Sequence, residues 1–155
     1  MSASGFTPHD HAACVAEGVA AAEARCAERG LRLTPVRRRV LEMLLARHRA
    51  LGAYDILDRL RDEGLAAQPP AAYRALDFLV ANGMAHRVER LNAFIACGEP
   101  GADHVPAFLI CRGCDAVAET RAAPLADLLE AGAGGFAIES AMVEAEGLCP
   151  DCADP

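Results

Sequence analysis

Four cysteines set the tightest limit on how this chain folds. Cys111 and Cys114 stand as CRGC and Cys149 and Cys152 as CPDC, with 34 residues between the pairs. Two such turns, each offering two thiolates, have the layout of a closed tetrahedral zinc site with Zn–S bonds of about 2.3 Å. Four thiolates around a divalent ion leave no open coordination position, so this metal stabilises a fold and is a poor reversible sensor. Closing the long loop between the pairs is expected to need the ion. The competing reading is a set of redox dithiols, as in a thiol-based regulator or oxidoreductase, but no thioredoxin-like βαβ pattern surrounds either pair.

The apolar fraction, 53%, is enough to bury real cores. No apolar run reaches the roughly 18–20 residues of a membrane span. Residues 12–24 are alanine-rich but carry Glu17 and Glu23 and follow no basic segment, unlike a secretory signal. The expected location is the cytoplasm, where thiols stay reduced and CxxC pairs favour metal over disulfides. The net charge of −7 argues at first against nucleic acid, but its distribution does not. Residues 30–97 hold 11 Arg against 7 acidic residues, whereas residues 98–155 hold 2 Arg against 11. Such asymmetry suggests two modules with different partners.

The basic half reads as helices followed by a hairpin. High helix propensity over residues 10–29, with Val15, Val19, Ala22 and Cys26 at spacings of three and four, predicts a first helix stopped near Gly30. Thr34 and Pro35 supply an N-cap and a first helical residue for a second, with Val36, Val40, Leu41, Leu44, Leu45 and His48 on one face. A third spans about 52–63, with Ile56, Leu57 and Leu60 inside. After Gln68-Pro69-Pro70, AAYRALDFLVANG predicts a fourth, with Leu76, Leu79 and Val80 inward and Tyr73, Arg74 and Asp77 towards the other side. MAHRVE and AFIAC then form a hairpin around Arg90-Leu91-Asn92. This is the outline of a winged helix-turn-helix, in which the helix before the hairpin enters the major groove. Arg74 has the reach and fork geometry for guanine O6 and N7. A helical bundle with merely solvated arginines is the alternative.

The acidic half predicts strands in AFLIC and DAVAE, a helix over 123–131, and one or two strands in FAIESAMVEAEGLC, together a small α+β module. Between the modules lies a connector, residues 98–105, whose Gly98, Pro100 and Gly101 disfavour regular structure. Around it gather four further candidate ligands: His86, Cys97, His104 and Glu119. Taken singly each has an ordinary explanation, as a strand-surface histidine, a small buried cysteine, a loop histidine and a solvated edge acid. Together they offer S, N, N and O donors with two negative charges to neutralise a divalent ion. No nucleophile–base arrangement suggests catalysis, and nothing calls for a small organic ligand.

The segments RLTPVRRRVLEMLLARHRALGAYDILDRL, PPAAYRALDFLVANGMAHRVERLNAFIAC and HVPAFLICRGCDAVAE resemble the ferric uptake regulator (Fur) family, and within it the zinc-responsive branch, the zinc uptake regulators (Zur). The likeness runs from about residue 31 to 152. It implies a homodimeric transcriptional repressor of zinc uptake genes: a winged helix-turn-helix over residues 1–97 with its N-terminal helix, a hinge over 98–105, and an α+β dimerisation and metal-binding domain over 106–155. By position it implies structural zinc on Cys111, Cys114, Cys149 and Cys152, and regulatory zinc on His86, Cys97, His104 and Glu119, two Zn(II) per protomer. It further implies DNA contacts from Tyr73, Arg74 and Tyr54 to a palindromic operator. Iron-sensing relatives usually carry a His-rich connector, whereas His104 stands alone here; an iron- or peroxide-responsive regulator remains the nearest alternative, alongside the thiol redox regulator. His9 and His11 are expected to lie in a disordered start, and Cys14 and Cys26 fall outside the pattern.

Overall fold

The computed structural model describes residues 4–6, 10–65 and 68–153, which divide into two compact units between Gly101 and Ala102. The N-terminal unit begins with α1, His11–Glu28, capped by Asp10, whose Oδ1 accepts from Ala12 N at 2.9 Å. His11 therefore opens a helix and is not part of a disordered start, while His9 lies outside the described residues. Val19, Ala22 and Cys26 form the buried face of α1, which assigns Cys26 to packing.

Thr34 caps α2, Pro35–Leu45, with Oγ1 accepting from Arg37 N, and Pro35 sits in the first turn as its missing N–H allows. Val40, Leu41, Met43 and Leu44 are buried. The helix ends before His48, contrary to expectation. Leu51 exchanges two 2.8 Å backbone hydrogen bonds with Phe94, and the chain must leave the helix early to reach it. In α3, Ala53–Asp62, Ile56, Leu57 and Leu60 point inward.

The fourth helix, α4, spans Pro69–Ala81 and takes both prolines into its first turn, where neither ring meets an earlier carbonyl. Its buried residues are Ala72, Ala75, Leu76 and Leu79; Val80, expected inside, is 38% exposed. Small alanines at 72 and 75 let α4 approach its neighbours, so the buried stripe rotates towards them and away from Val80. A hairpin follows, β1 (Ala85–Val88) against β2 (Ala93–Ala96), with His86 opposite Ile95. Asn92, at φ 45°, makes the turn, a conformation asparagine tolerates better than most residues.

In the C-terminal unit, β3 (Pro106–Cys111) is the central strand, antiparallel to β4 (Val117–Arg121) and parallel to β5 (Val143–Gly147). The helix α5, Ala123–Gly132, links β4 towards β5, and α6, Pro150–Ala153, closes the unit. One strand forms in the 136–149 region; residues 136–142 take no regular structure. Phe108, Ile110, Val117 and Ala118 are buried on the sheet, and a 3-10 turn at Ser4–Phe6 packs against β4.

Candidate metal centres and nucleic-acid interface

Parallel pairing sets Cys111, the last residue of β3, beside Gly147, two residues before Cys149. The sheet thus helps close the 34-residue loop, work the sequence reading left to the ion alone. Arg112 N donates to Gly147 O at 2.9 Å and Asp115 N to Cys111 O at 2.9 Å, folding CRGC into a turn. CPDC passes into α6, with Cys152 N donating to Cys149 O at 3.0 Å. Gly113 lets the two turns approach closely, since a Cβ there would crowd Cys152 Sγ at 3.1 Å.

The four sulfurs all lie within 4.8 Å of one another, and Cys114 Sγ is 3.8 Å from Cys149 Sγ. Sulfurs bound at about 2.3 Å around one tetrahedral ion stand about 3.8 Å apart, so the donor set fits zinc. The N–H groups of Cys149 and Gly113 point at Cys111 Sγ at 3.3 and 3.4 Å. These donors, led by Cys149 N–H, pull the Cys111 thiol down to about 6. Its neighbours resist joining it as thiolates: the Cys152 thiol is pushed up to about 12, mainly by the side chains of Cys149, Cys111 and Cys114. A bound cation is what allows four sulfurs so close together to be anionic at once.

The other four candidates fall into two pairs, one in each unit. On the hairpin, Cys97 N donates to Met84 O at 3.0 Å, extending the β1–β2 ladder by one step. Met84, His86, Ile95 and Cys97 then share one face, because opposite residues of an antiparallel pair point the same way. Cys97 is buried there and His86 half-buried.

In the C-terminal unit, His104 Nε2 lies 2.8 Å from Glu119 Oε1 on β4, with side chains only 9% and 11% exposed. His104 Nδ1 lies 2.9 Å from Ala102 O. A carbonyl only accepts, so Nδ1 carries a proton, which leaves Nε2 as the ring nitrogen facing the carboxylate oxygen. Two acceptors that close must share a proton or a cation, and an imidazole held by a backbone carbonyl on its far nitrogen is the usual arrangement of a metal-binding histidine.

On the winged helix, Tyr54 and Tyr73 are 70% and 42% exposed, and Arg74 is exposed beside Tyr73. Gly52, Ala53, Tyr54, Tyr73, Asp77 and Arg87 line most of a cleft of about 330 Å³. Arg74 lies outside that lining. Arg87 is the residue the sequence reading missed. It projects from β1 towards the cleft, with Nη2 donating to Asn92 Oδ1 at 2.9 Å and Nε 3.5 Å from Glu89 Oε2. Strand alternation held the signal, since Arg87 must face away from its neighbour His86.

The model of the ferric uptake regulator family matches residues 28–146. The zinc uptake regulation protein of Escherichia coli (strain K12) is 41% identical over 143 residues, covering 89% of this chain and 82% of the relative. A solved zinc uptake regulator in complex with zinc and DNA superposes with a TM-score of 0.84 at 41% identity, covering 90% of this chain and 95% of that one. The crystal structure of holo XcZur gives 0.81 at 44% identity, with 88% and 97% covered.

Proposed function

The chain belongs to the ferric uptake regulator family, and from that premise we propose that it is a zinc-responsive transcriptional repressor of zinc uptake genes, acting in the cytoplasm as a homodimer on palindromic DNA. We propose two zinc ions per protomer. One is structural, on Cys111, Cys114, Cys149 and Cys152; the other is regulatory, on His86, Cys97, His104 and Glu119. Tyr54, Tyr73 and Arg74 are the proposed DNA contacts.

The observation that carries this reading is the division of the second donor set. His86 and Cys97 belong to the hairpin of the DNA-binding unit, whereas His104 and Glu119 are already paired in the other unit, across the connector. Bound zinc supplies a point that all four donors share. Each pair is held ready by its own unit: the hairpin ladder aims His86 and Cys97 from one face, and Ala102 O fixes the His104 ring. The connector between them, with Gly98, Pro100 and Gly101, gives way when the pairs separate. In a two-fold dimer, the setting of this connector fixes the distance between recognition helices, which must match half-sites about 34 Å apart or a multiple of that. Because the linkage is reciprocal, DNA tightens metal binding by the same factor as metal tightens DNA binding.

Chemistry supports zinc over iron here, since one thiolate with two imidazoles and a single carboxylate suits a borderline-soft ion. Support for the homodimer comes from the apolar surface of the C-terminal unit, where Leu128 is 68% and Phe136 75% exposed. A second copy would cover such side chains.

The deciding experiment measures zinc content and binding to a duplex selected from a random pool by the zinc-loaded protein, before and after mild chelation. Two ions per chain falling to one, with DNA binding lost and restored by zinc alone, is the expected result. One ion throughout, with DNA binding indifferent to zinc, would overturn the reading. Cys97→Ser is expected to remove the second ion while the first stays and both units remain folded, as checked by zinc content and circular dichroism.

A further inference from the structure

We infer that Arg25 is a positioning residue that ties the C-terminus of the recognition helix to the middle of the connector, at Gly101, an inference that rests on the metal-dependent DNA-binding reading above. Arg25 lies in the last turn of α1, 57 residues from the group it holds. Its Nε donates to Asn82 O at 2.8 Å, and Asn82 is the C-cap of α4. That carbonyl stands at the negative end of the helix, where a cation interacts favourably with the peptide dipoles. Asn82 in turn donates from Nδ2 to Phe78 O at 2.8 Å, so one arginine steadies the last turn of α4.

The far side of the guanidinium faces two glycines. A Cβ on Gly83 would lie 3.4 Å from Arg25 Nη2, and one on Gly101 would run into Nη1. Gly101 has φ +88° and Gly83 φ +70°, both in the region that favours glycine. At Gly101, no side chain fits while Arg25 holds its place. The planar fork therefore bonds Asn82 and fills the space that side chains at Gly83 and Gly101 would need. Lysine, with a single ammonium on a flexible stem, cannot reproduce that.

The consequence follows from where Gly101 sits. It ends the DNA-binding unit, three residues before His104, a donor of the proposed regulatory site. Movement of the connector at Gly101 opens or closes the space that the guanidinium fills, and the guanidinium carries the end of α4 with it. Arg25 thereby makes the setting of the connector felt at the recognition helix, without touching either metal or DNA.

The test compares wild type, Arg25→Lys and Arg25→Ala on the selected duplex, each with and without the second ion. The readout is the ratio of zinc-loaded to zinc-stripped affinity, which a merely structural role would leave alone. The expected result is a ratio about 5-fold lower in Arg25→Ala, with partial recovery in Arg25→Lys. Hydrogen exchange on the full chain supplies a readout independent of DNA and metal. The amides of Asn82, Gly83 and Met84, bonded to Phe78, Val80 and Leu79, should exchange faster together with the backbone around Gly101. An unchanged ratio, or faster exchange at the end of α4 with the connector unaffected, would reduce Arg25 to a helix cap. If wild type itself binds DNA equally with and without zinc, the parent reading fails, and hydrogen exchange alone decides whether Arg25 joins the two segments. Should Arg25→Ala not fold, Arg25→Lys decides on the same two readouts.

Discussion

In the N-terminal unit, Val40, Ile56, Leu60, Leu76 and Leu79 are wholly buried and come from three helices, whereas α5 of the C-terminal unit buries none of its residues. The first unit is held by interlocking apolar side chains. The second has a thin sheet core around Phe108 and Val117, too small to suffice alone, and leaves Leu125, Leu128 and Leu129 outside. The two modules thus differ in what holds them: one is closed by packing, whereas the other, on the proposed function, also relies on a metal knuckle and a partner's surface. The same contrast appears in the donors. The four thiols are gathered by one unit into a closed set, whereas His86 and Cys97 belong to one unit and His104 and Glu119 to the other, a division that suits the reversible ion of the proposed function.

The largest expected effect tests the metal side of that contrast. Cys149→Ser removes one of four thiolates from a site of the kind that supplies about 10–16 kcal/mol in small zinc domains. The C-terminal sheet should lose amide protection and its zinc, while α1–α4 keep theirs; joint unfolding of both units would break the comparison. Next comes Leu76→Ala, which leaves a cavity at the centre of the helical core and should cost about 2–5 kcal/mol. Its denaturation midpoint should fall with zinc in the knuckle retained, and zinc loss in step with unfolding would show that the units are not independent. Leu128→Glu places a charge on the exposed face of α5 and should shift the dimer towards monomer in sedimentation, with the thermal midpoint of the N-terminal unit unmoved. A dimer that survives the change would send the interface elsewhere.

The smallest effect belongs to the surface of the packed unit. Arg39 grips Glu63 with two 2.7 Å hydrogen bonds, from Nε and Nη2, and holds that carboxyl below the usual glutamate range. A carboxyl depressed in the folded state stabilises above its unfolded pKa, and that contribution is lost as pH falls through the folded value. The melting difference between wild type and Glu63→Gln should therefore be present at neutral pH, vanish on acidification, and shrink in salt. Persistence at low pH would mean that packing, not charge, accounts for it.

Much of this was legible in residues taken in order. Thr34-Pro35 announces α2, Asn82 ends α4, and the CxxC spacing names a zinc site, because each is a local rule acting within a turn or two. His86, Cys97, His104 and Glu119 could be gathered as candidates by their chemistry and by resemblance, but not by spacing. What failed was decided by distant partners. The end of α2 before His48 depends on the pairing of Leu51 with Phe94, and the exposure of Val80 depends on how closely Ala72 and Ala75 let α4 approach its neighbours.

The sequence by itself determined which side chains are available: thiols in pairs for zinc, arginines on one half, a capped helix before a hairpin. Only the tertiary structure decided that His104 meets Glu119, that Arg87 joins Tyr54 and Tyr73 around one cleft, and that Arg25 reaches Asn82 and the space beside Gly101. Capping and periodicity are set by neighbours a few residues apart. Contacts across 15 or 57 residues exist only once burial of the cores has fixed the directions in which these side chains leave the backbone.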